Sequence, residues 1–144
     1  MAADGAGPSA TQLKRINTDP ERIDLVGAPE GYDALVMSDI VRARGALSVF
    51  IARDTARMSA FAEAFAFFAP DVEVMRLPSW DCLPYDRIGP SPGIAAQRMT
   101  TLARLASGGF DTKKPALLVA AIPAMIQRVP PRSAVEAASF SAHV

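Results

Sequence analysis

Asp81 and Asp86 are the carboxylates whose type and spacing come closest to a general acid and base, and Cys82 between them is the chain's one thiol. Two carboxylates can divide acid and base work when their surroundings pull their pKa values apart. Here they stand in a proline-rich stretch, where no helical or strand repeat sets the distance between them. Capping of the loop, or an ion pair between Asp86 and Arg87, uses the same residues without chemistry. A cysteine nucleophile needs a base, and the single histidine, His143, lies near the end of the chain. A buried thiol is the plainer role for Cys82. With one cysteine and one histidine there is too little material for an internal disulfide or an ordinary zinc site. No catalytic, cofactor-binding or metal-ligating residue is expected.

Phosphate chemistry is the other possibility that spacing can test. Gly27-Ala28-Pro29-Glu30-Gly31-Tyr32-Asp33 sits at the first expected strand-to-helix turn, the natural cradle for a phosphate in an α/β protein. A working loop needs glycine, four spacers, glycine, lysine and a hydroxyl residue. Only three residues separate Gly27 from Gly31, and Tyr32 and Asp33 occupy the lysine and hydroxyl positions. Pro29 lacks a backbone donor, while Glu30 and Asp33 bring negative charge. Two like charges at ~4 Å repel by roughly 4 kcal/mol at an effective dielectric of 20. The turn is therefore expected to hold no nucleotide.

The elements around these residues follow from hydrophobic periodicity and punctuation. Arg22–Val26 alternates polar and apolar before Gly27, as a short strand does. Ala34, Leu35, Met37, Ile40 and Val41 recur at helical spacing within Tyr32–Arg44, and Gly45 marks the stop. Leu47–Ala52 is a compact apolar run of the kind found in buried strands. Asp54 suits an N-cap for a helix carrying Met58, Phe61, Ala62, Phe65 and Phe68 on one stripe, which ends at Pro70. Val72–Leu77 reads as a strand, and 78–92 as an ordered loop. Ser91-Pro92 is a good helix start, and that helix runs to about Ala106 before Ser107-Gly108-Gly109. Ala116–Ala121 is a further buried strand, followed by a helical turn over Ala124–Arg128 that Pro130-Pro131 stops. Strands alternating with helices predict an α/β fold, a mainly parallel sheet flanked by helices on both faces.

Composition narrows the function. The chain has 144 residues, half of them hydrophobic and 21% charged, which is the balance of a folded domain. Fifteen basic and fifteen acidic residues cancel, so there is no overall positive field to draw in nucleic acid. No apolar run approaches the ~18 residues of a membrane span, and the first residues lack the pattern of a secretion signal. A cytoplasmic location is expected.

Leu77-Pro78-Ser79-Trp80-Asp81-Cys82-Leu83-Pro84-Tyr85-Asp86-Arg87 is the most distinctive stretch. Rigid aromatics between prolines suit a preorganised contact surface, because docking then costs little conformational entropy. Trp80 and Tyr85 folding back over the carboxyl edge of the sheet is the reading that physical chemistry alone favours, since large aromatics are usually well buried. Arg98 has a surface ion pair as its ordinary use, and Arg128 and Arg132 bracket two prolines as a small basic edge that could meet DNA phosphate or an acidic surface of the rest of the protein; the zero net charge favours docking within the protein.

This Leu-Pro-x-Trp-x-x-Leu-Pro-Tyr-Asp pattern resembles the amino-terminal module of bacterial transcription-repair coupling factors. The likeness continues through Gln97-Arg98-Met99-Thr100-Thr101-Leu102 and Gln127-Arg128-Val129-Pro130-Pro131-Arg132-Ser133, spanning about Leu25 to Ser133. Ile122-Pro123 departs from it, where a Val-Asn-like pair is expected. The resemblance implies a fold similar to the first domain of the B component of nucleotide excision repair, a degenerate helicase-type lobe without a functional phosphate loop. Residues 1–20 then form a flexible or partly helical terminus, 21–132 the α/β module, and 133–144 the start of a further domain. In such a family the full-length protein uses ATP and magnesium to move along DNA, meets stalled RNA polymerase, and recruits the A component of nucleotide excision repair through other domains. This chain would be a noncatalytic part of it, docked to the rest of the coupling factor. Trp80, Tyr85, Asp86, Arg87, Arg98, Arg128 and Arg132 are the candidate docking or DNA-contact residues. The alternative is a stand-alone α/β module that binds damaged DNA or a protein partner.

Overall fold

The computed structural model describes residues 24, 26–83, 85–108 and 114–139. Within them the order is α1 (Tyr32–Arg44), β1 (Leu47–Ala52), α2 (Thr55–Phe68), β2 (Glu73–Leu77), α3 (Pro92–Ala106), β3 (Ala116–Ala121), α4 (Ile122–Ile126) and α5 (Arg132–Ala138). The strand expected over Arg22–Val26 lies largely outside the described residues; Val26 itself is exposed and not in a strand.

Local chemistry sets most of the ends. Gly45 closes α1 in the left-handed region (φ 59°), where glycine carries no Cβ penalty, and its N–H reaches the Val41 carbonyl. Asp54 caps α2 by accepting a hydrogen bond from the Arg57 N–H at 2.8 Å. Pro92 occupies the first turn of α3, where a missing donor costs nothing. Ser91 does not cap with its hydroxyl as expected. Its own N–H instead donates to Asp81 Oδ1 at 3.1 Å, which ties the loop to the residue just before the helix.

The three strands form one parallel sheet in the order β1-β3-β2. Leu47 to Ala52 lies beside Ala116 to Ala121, and Glu73 to Leu77 beside Ala116 to Ala120. Moving from β1 to β2 passes over the central position, and moving from β2 to β3 comes back. Right-handed crossovers in opposite directions must place their helices on opposite faces. Accordingly α1 and α2 cover one face, burying Phe61, Phe65, Leu117 and Val119, while α3 and α4 cover the other over Met75, Leu77, Leu118 and Ala120. Phe61 stacks on Phe50 of β1 with ring planes 3° apart and centroids 3.4 Å apart. The β3 run is buried at every position because it alone has neighbours on both sides.

Two expectations need correction. β1 is not a fully buried strand: Leu47, Val49 and Ile51 are exposed, while Ser48 and Ala52 are buried. As an edge strand it is covered by α2 on one face only, since α3 lies over β2. The helical turn after β3 begins at Ile122 rather than Ala124, because Pro123 fits a first turn and so marks a start. Residues 133–138, for which the pattern commits to no element, fall in α5. Among the described residues no helix is long and apolar enough to cross a membrane.

Candidate docking surface at the carboxyl edge

Open α/β sheets hold ligands outside the carboxyl ends of their strands, where crossovers diverge to opposite faces. Here that edge is built by the residues after β1, β2 and β3. Thr55 and Ser79 hydroxyls lie 3.3 Å apart across it, and the Trp80 N–H donates to Gln127 Oε1 at 3.0 Å. The loop after β2 and the segment after α4 are thereby joined.

Arg98 is the residue that sequence reasoning misplaced. A cation on an amphipathic helix reads as a solvated ion pair, yet Arg98 is 0% exposed. Its guanidinium lies 4.5 Å from the Trp80 ring centroid and donates through Nη1 to the Pro78 carbonyl. Burial holds its pKa below the ordinary value, because no carboxylate partner offsets the lost hydration. Nε and Nη2 have no hydrogen-bond partner among the described residues. Arg98 therefore acts as a pillar under Trp80. Thr101, one turn on, donates to the Arg76 carbonyl at 2.6 Å and fastens the same helix to β2.

The rest of the loop is organised by its own carboxylates. Asp86 Oδ2 accepts the Leu83 N–H at 2.8 Å while the Asp86 N–H reaches the Leu83 carbonyl at 3.1 Å. Asp86 thus caps the loop rather than pairing with Arg87, one of the two uses its position allowed. Tyr85 does not fold back over the sheet: it is 97% exposed. Trp80 is half-buried, so of the two aromatics only it covers the edge. Arg87 and Arg128 are exposed and have no ion-pair partner among the described residues. Arg132 pairs with Glu136 at 2.8 Å within α5, so the basic edge expected from Arg128 and Arg132 together has one of its two charges already matched. Arg104, the other cation on α3, meets Glu73 of β2 in two contacts of 3.2 Å.

The turn before α1 holds an anion of its own. Gly27 (φ 74°) and Gly31 (φ 83°) both take left-handed conformations, and Pro29-Glu30-Gly31-Tyr32 closes through a 3.1 Å bond from the Tyr32 N–H. Asp33 accepts the Ala34 N–H at 3.0 Å and pairs with Arg57 of α2. A backbone donor and an arginine are the groups a phosphate would seek, and Asp33 already holds both. The same substitution recurs at α2, where Asp54 occupies the helix start, and at α3, where Asp81 does. Each of these three helix starts therefore carries a carboxylate. Among the described residues no group of three His, Cys, Asp or Glu side chains could hold a metal ion. Cys82 is a half-buried free thiol.

No family model matches the chain, and no curated protein is significantly similar to it.

These carboxylates predict acid sensitivity. Asp54 is held below the usual carboxylate range by the Arg57 backbone N–H, Asp71 by the Arg42 side chain, and Asp81 by the Ser91 hydroxyl and N–H. A depressed folded-state pKa contributes stability above the unfolded value of about 3.9 that is lost as pH falls through the folded value. The urea midpoint is therefore expected to be flat in these groups near neutrality and to drop below about pH 4. Substituting Asp54, Asp71 and Asp81 together by asparagine should lower the neutral-pH midpoint and flatten that acid limb. A midpoint with the same acid dependence in the triple variant would assign it to other carboxylates.

Proposed function

We propose that the chain is a noncatalytic α/β recognition and docking module, the amino-terminal part of a transcription-repair coupling factor. In this reading it is a degenerate helicase-type lobe, similar to the first domain of the B component of nucleotide excision repair. It positions the repair-recruiting part of an ATP-dependent DNA translocase. The motor, the polymerase contact and the contact with the A component of repair belong to other domains. The observation that supports it most is the set of aspartates at the starts of α1, α2 and α3. Where a nucleotide-binding lobe aims free N–H groups at phosphate, this one puts its own carboxylate on one N–H at the start of α1 and of α2, and on the N–H of Ser91 just before α3. A second support is the resemblance of three ordered motifs, each of which supplies a residue to one cluster: Trp80 stacks on Arg98 and bonds Gln127.

Titration of the 144-residue chain with ATP and magnesium, followed by calorimetry, tests the reading. No saturable heat is expected. Micromolar binding lost on Gly31→Val would overturn the noncatalytic assignment.

Direct DNA binding is the second reading. It is favoured by Arg87 and Arg128, both exposed and without an ion-pair partner among the described residues. Phosphate contacts weaken steeply with salt. A duplex that binds at low salt with a log–log slope near about −2, reduced by about 1 in Arg128→Ala, would support it over the docking reading.

A further inference from the structure

We infer that the groove at the carboxyl ends of β2 and β3 docks a peptide segment of a protein partner that presents one apolar side chain beside one acidic side chain. This rests on the docking reading above and names the chemistry of the partner.

The groove measures about 820 Å³, and Trp80, Leu83, Tyr85, Pro90, Ile126 and Arg128 are among its walls. Single exposed apolar residues are ordinary on a protein surface, whereas apolar residues gathered around one concavity are not. Leu83, Tyr85 and Ile126 are 71%, 97% and 80% exposed, and all three face the same groove. Their neighbours are held in place before anything binds. Trp80 is fixed from below by Arg98 and at its backbone by Gln127; Leu83 is fixed by Asp86. An apolar side chain entering the groove thus gains burial without a large cost of ordering the loop.

Charge selects the second feature of the partner. Among the described residues Arg128 is the one charged residue lining the groove, and no carboxylate of theirs pairs with it. Asp81 and Asp86, in the same loop, turn their carboxylates to backbone N–H groups and do not line it. A carboxylate next to the apolar side chain would meet Arg128 at the mouth. Nucleic acid fits less well, since one lining cation cannot track a phosphate backbone.

Trp80 is the chain's only tryptophan and lines the groove, so its emission reports occupancy. The probes are short acetylated, amidated peptides in a glycine–serine frame, each with one leucine followed by one glutamate, and the same peptides with lysine for glutamate. The glutamate peptides should shift Trp80 emission saturably and bind about tenfold more tightly than the lysine peptides, the factor that a preference of about 1.4 kcal/mol produces. Arg128→Glu should reverse that order, and Ile126→Ser should weaken both sets. Both positions are exposed or nearly so, and circular dichroism of the variants checks that the fold is kept. Equal affinities for the two sets, or no saturable change in either Trp80 emission or the Ile126 methyl resonance, would overturn the inference. So would duplex DNA competing for the groove, or self-association that buries it in sedimentation. Saturable ATP binding would remove the noncatalytic reading and leave this groove standing; indifference to glutamate would do the reverse.

Discussion

Arg98→Ala is expected to be less stable than Arg98→Met by about 2–5 kcal/mol, the range for removing a large buried side chain and leaving a cavity. The comparison separates packing from charge. Arginine's long stem fills the space beneath Trp80, and methionine fills most of the same volume with no charge. Removing the guanidinium forfeits the bond to the Pro78 carbonyl and the contact with Trp80. Those together amount to about 2–5 kcal/mol. Against that stands the desolvation of a fully buried cation, still several kcal/mol after relaxation. The two sums are of similar size, so Arg98→Met should lie within about 2 kcal/mol of the wild type. Urea denaturation of the three proteins measures this. If methionine destabilises as much as alanine, the charge itself carries the stability and the pillar is electrostatic.

The second large effect is expected at Phe61, whose replacement by alanine should cost about 3–5 kcal/mol. Phe61 is 1% exposed and lies in the layer between α2 and the sheet. One neighbour is the Phe50 ring stacked on it, and the other is Phe65 with centroids 6.0 Å apart. Deleting the middle ring strips both contacts and leaves a void that a close-packed interior cannot readily fill. A domain of this size is stable by only about 5–15 kcal/mol, so the variant loses a large share of the total. Phe61→Leu, which keeps much of the volume, should recover most of it. Thermal denaturation followed by circular dichroism checks both. Equal melting temperatures for the alanine variant and the wild type would place Phe61 outside the core. Phe67, exposed on α2, is the control, and Phe67→Ala should leave stability within about 0.5 kcal/mol.

Residues 32 to 106 carry most of their secondary structure in their own pattern. Gly45, Asp54, Pro70 and Pro92 act through backbone strain, capping or a missing donor, all of which operate within one turn and need no partner from elsewhere. The stripe of Phe61 and Phe65 follows for the same reason: helical period alone turns both to one side. Asp54 and Asp86 are legible as local caps because a short carboxylate reaches its own neighbouring N–H groups.

Long-range pairing decided the rest. The strand order β1-β3-β2 makes the Leu47–Ala52 run an edge and leaves three of its apolar side chains open, though its composition matches that of a buried strand. Arg98 illustrates the limit most sharply. Its helix position and charge point to solvent, and only the return of Pro78 and Trp80 across α3 encloses it. Asp33 likewise shows its carboxylate in the sequence but not the arginine, 24 positions on, that it holds. Interactions that act within a turn are written in adjacent residues, whereas enclosure depends on which distant segments the sheet brings together.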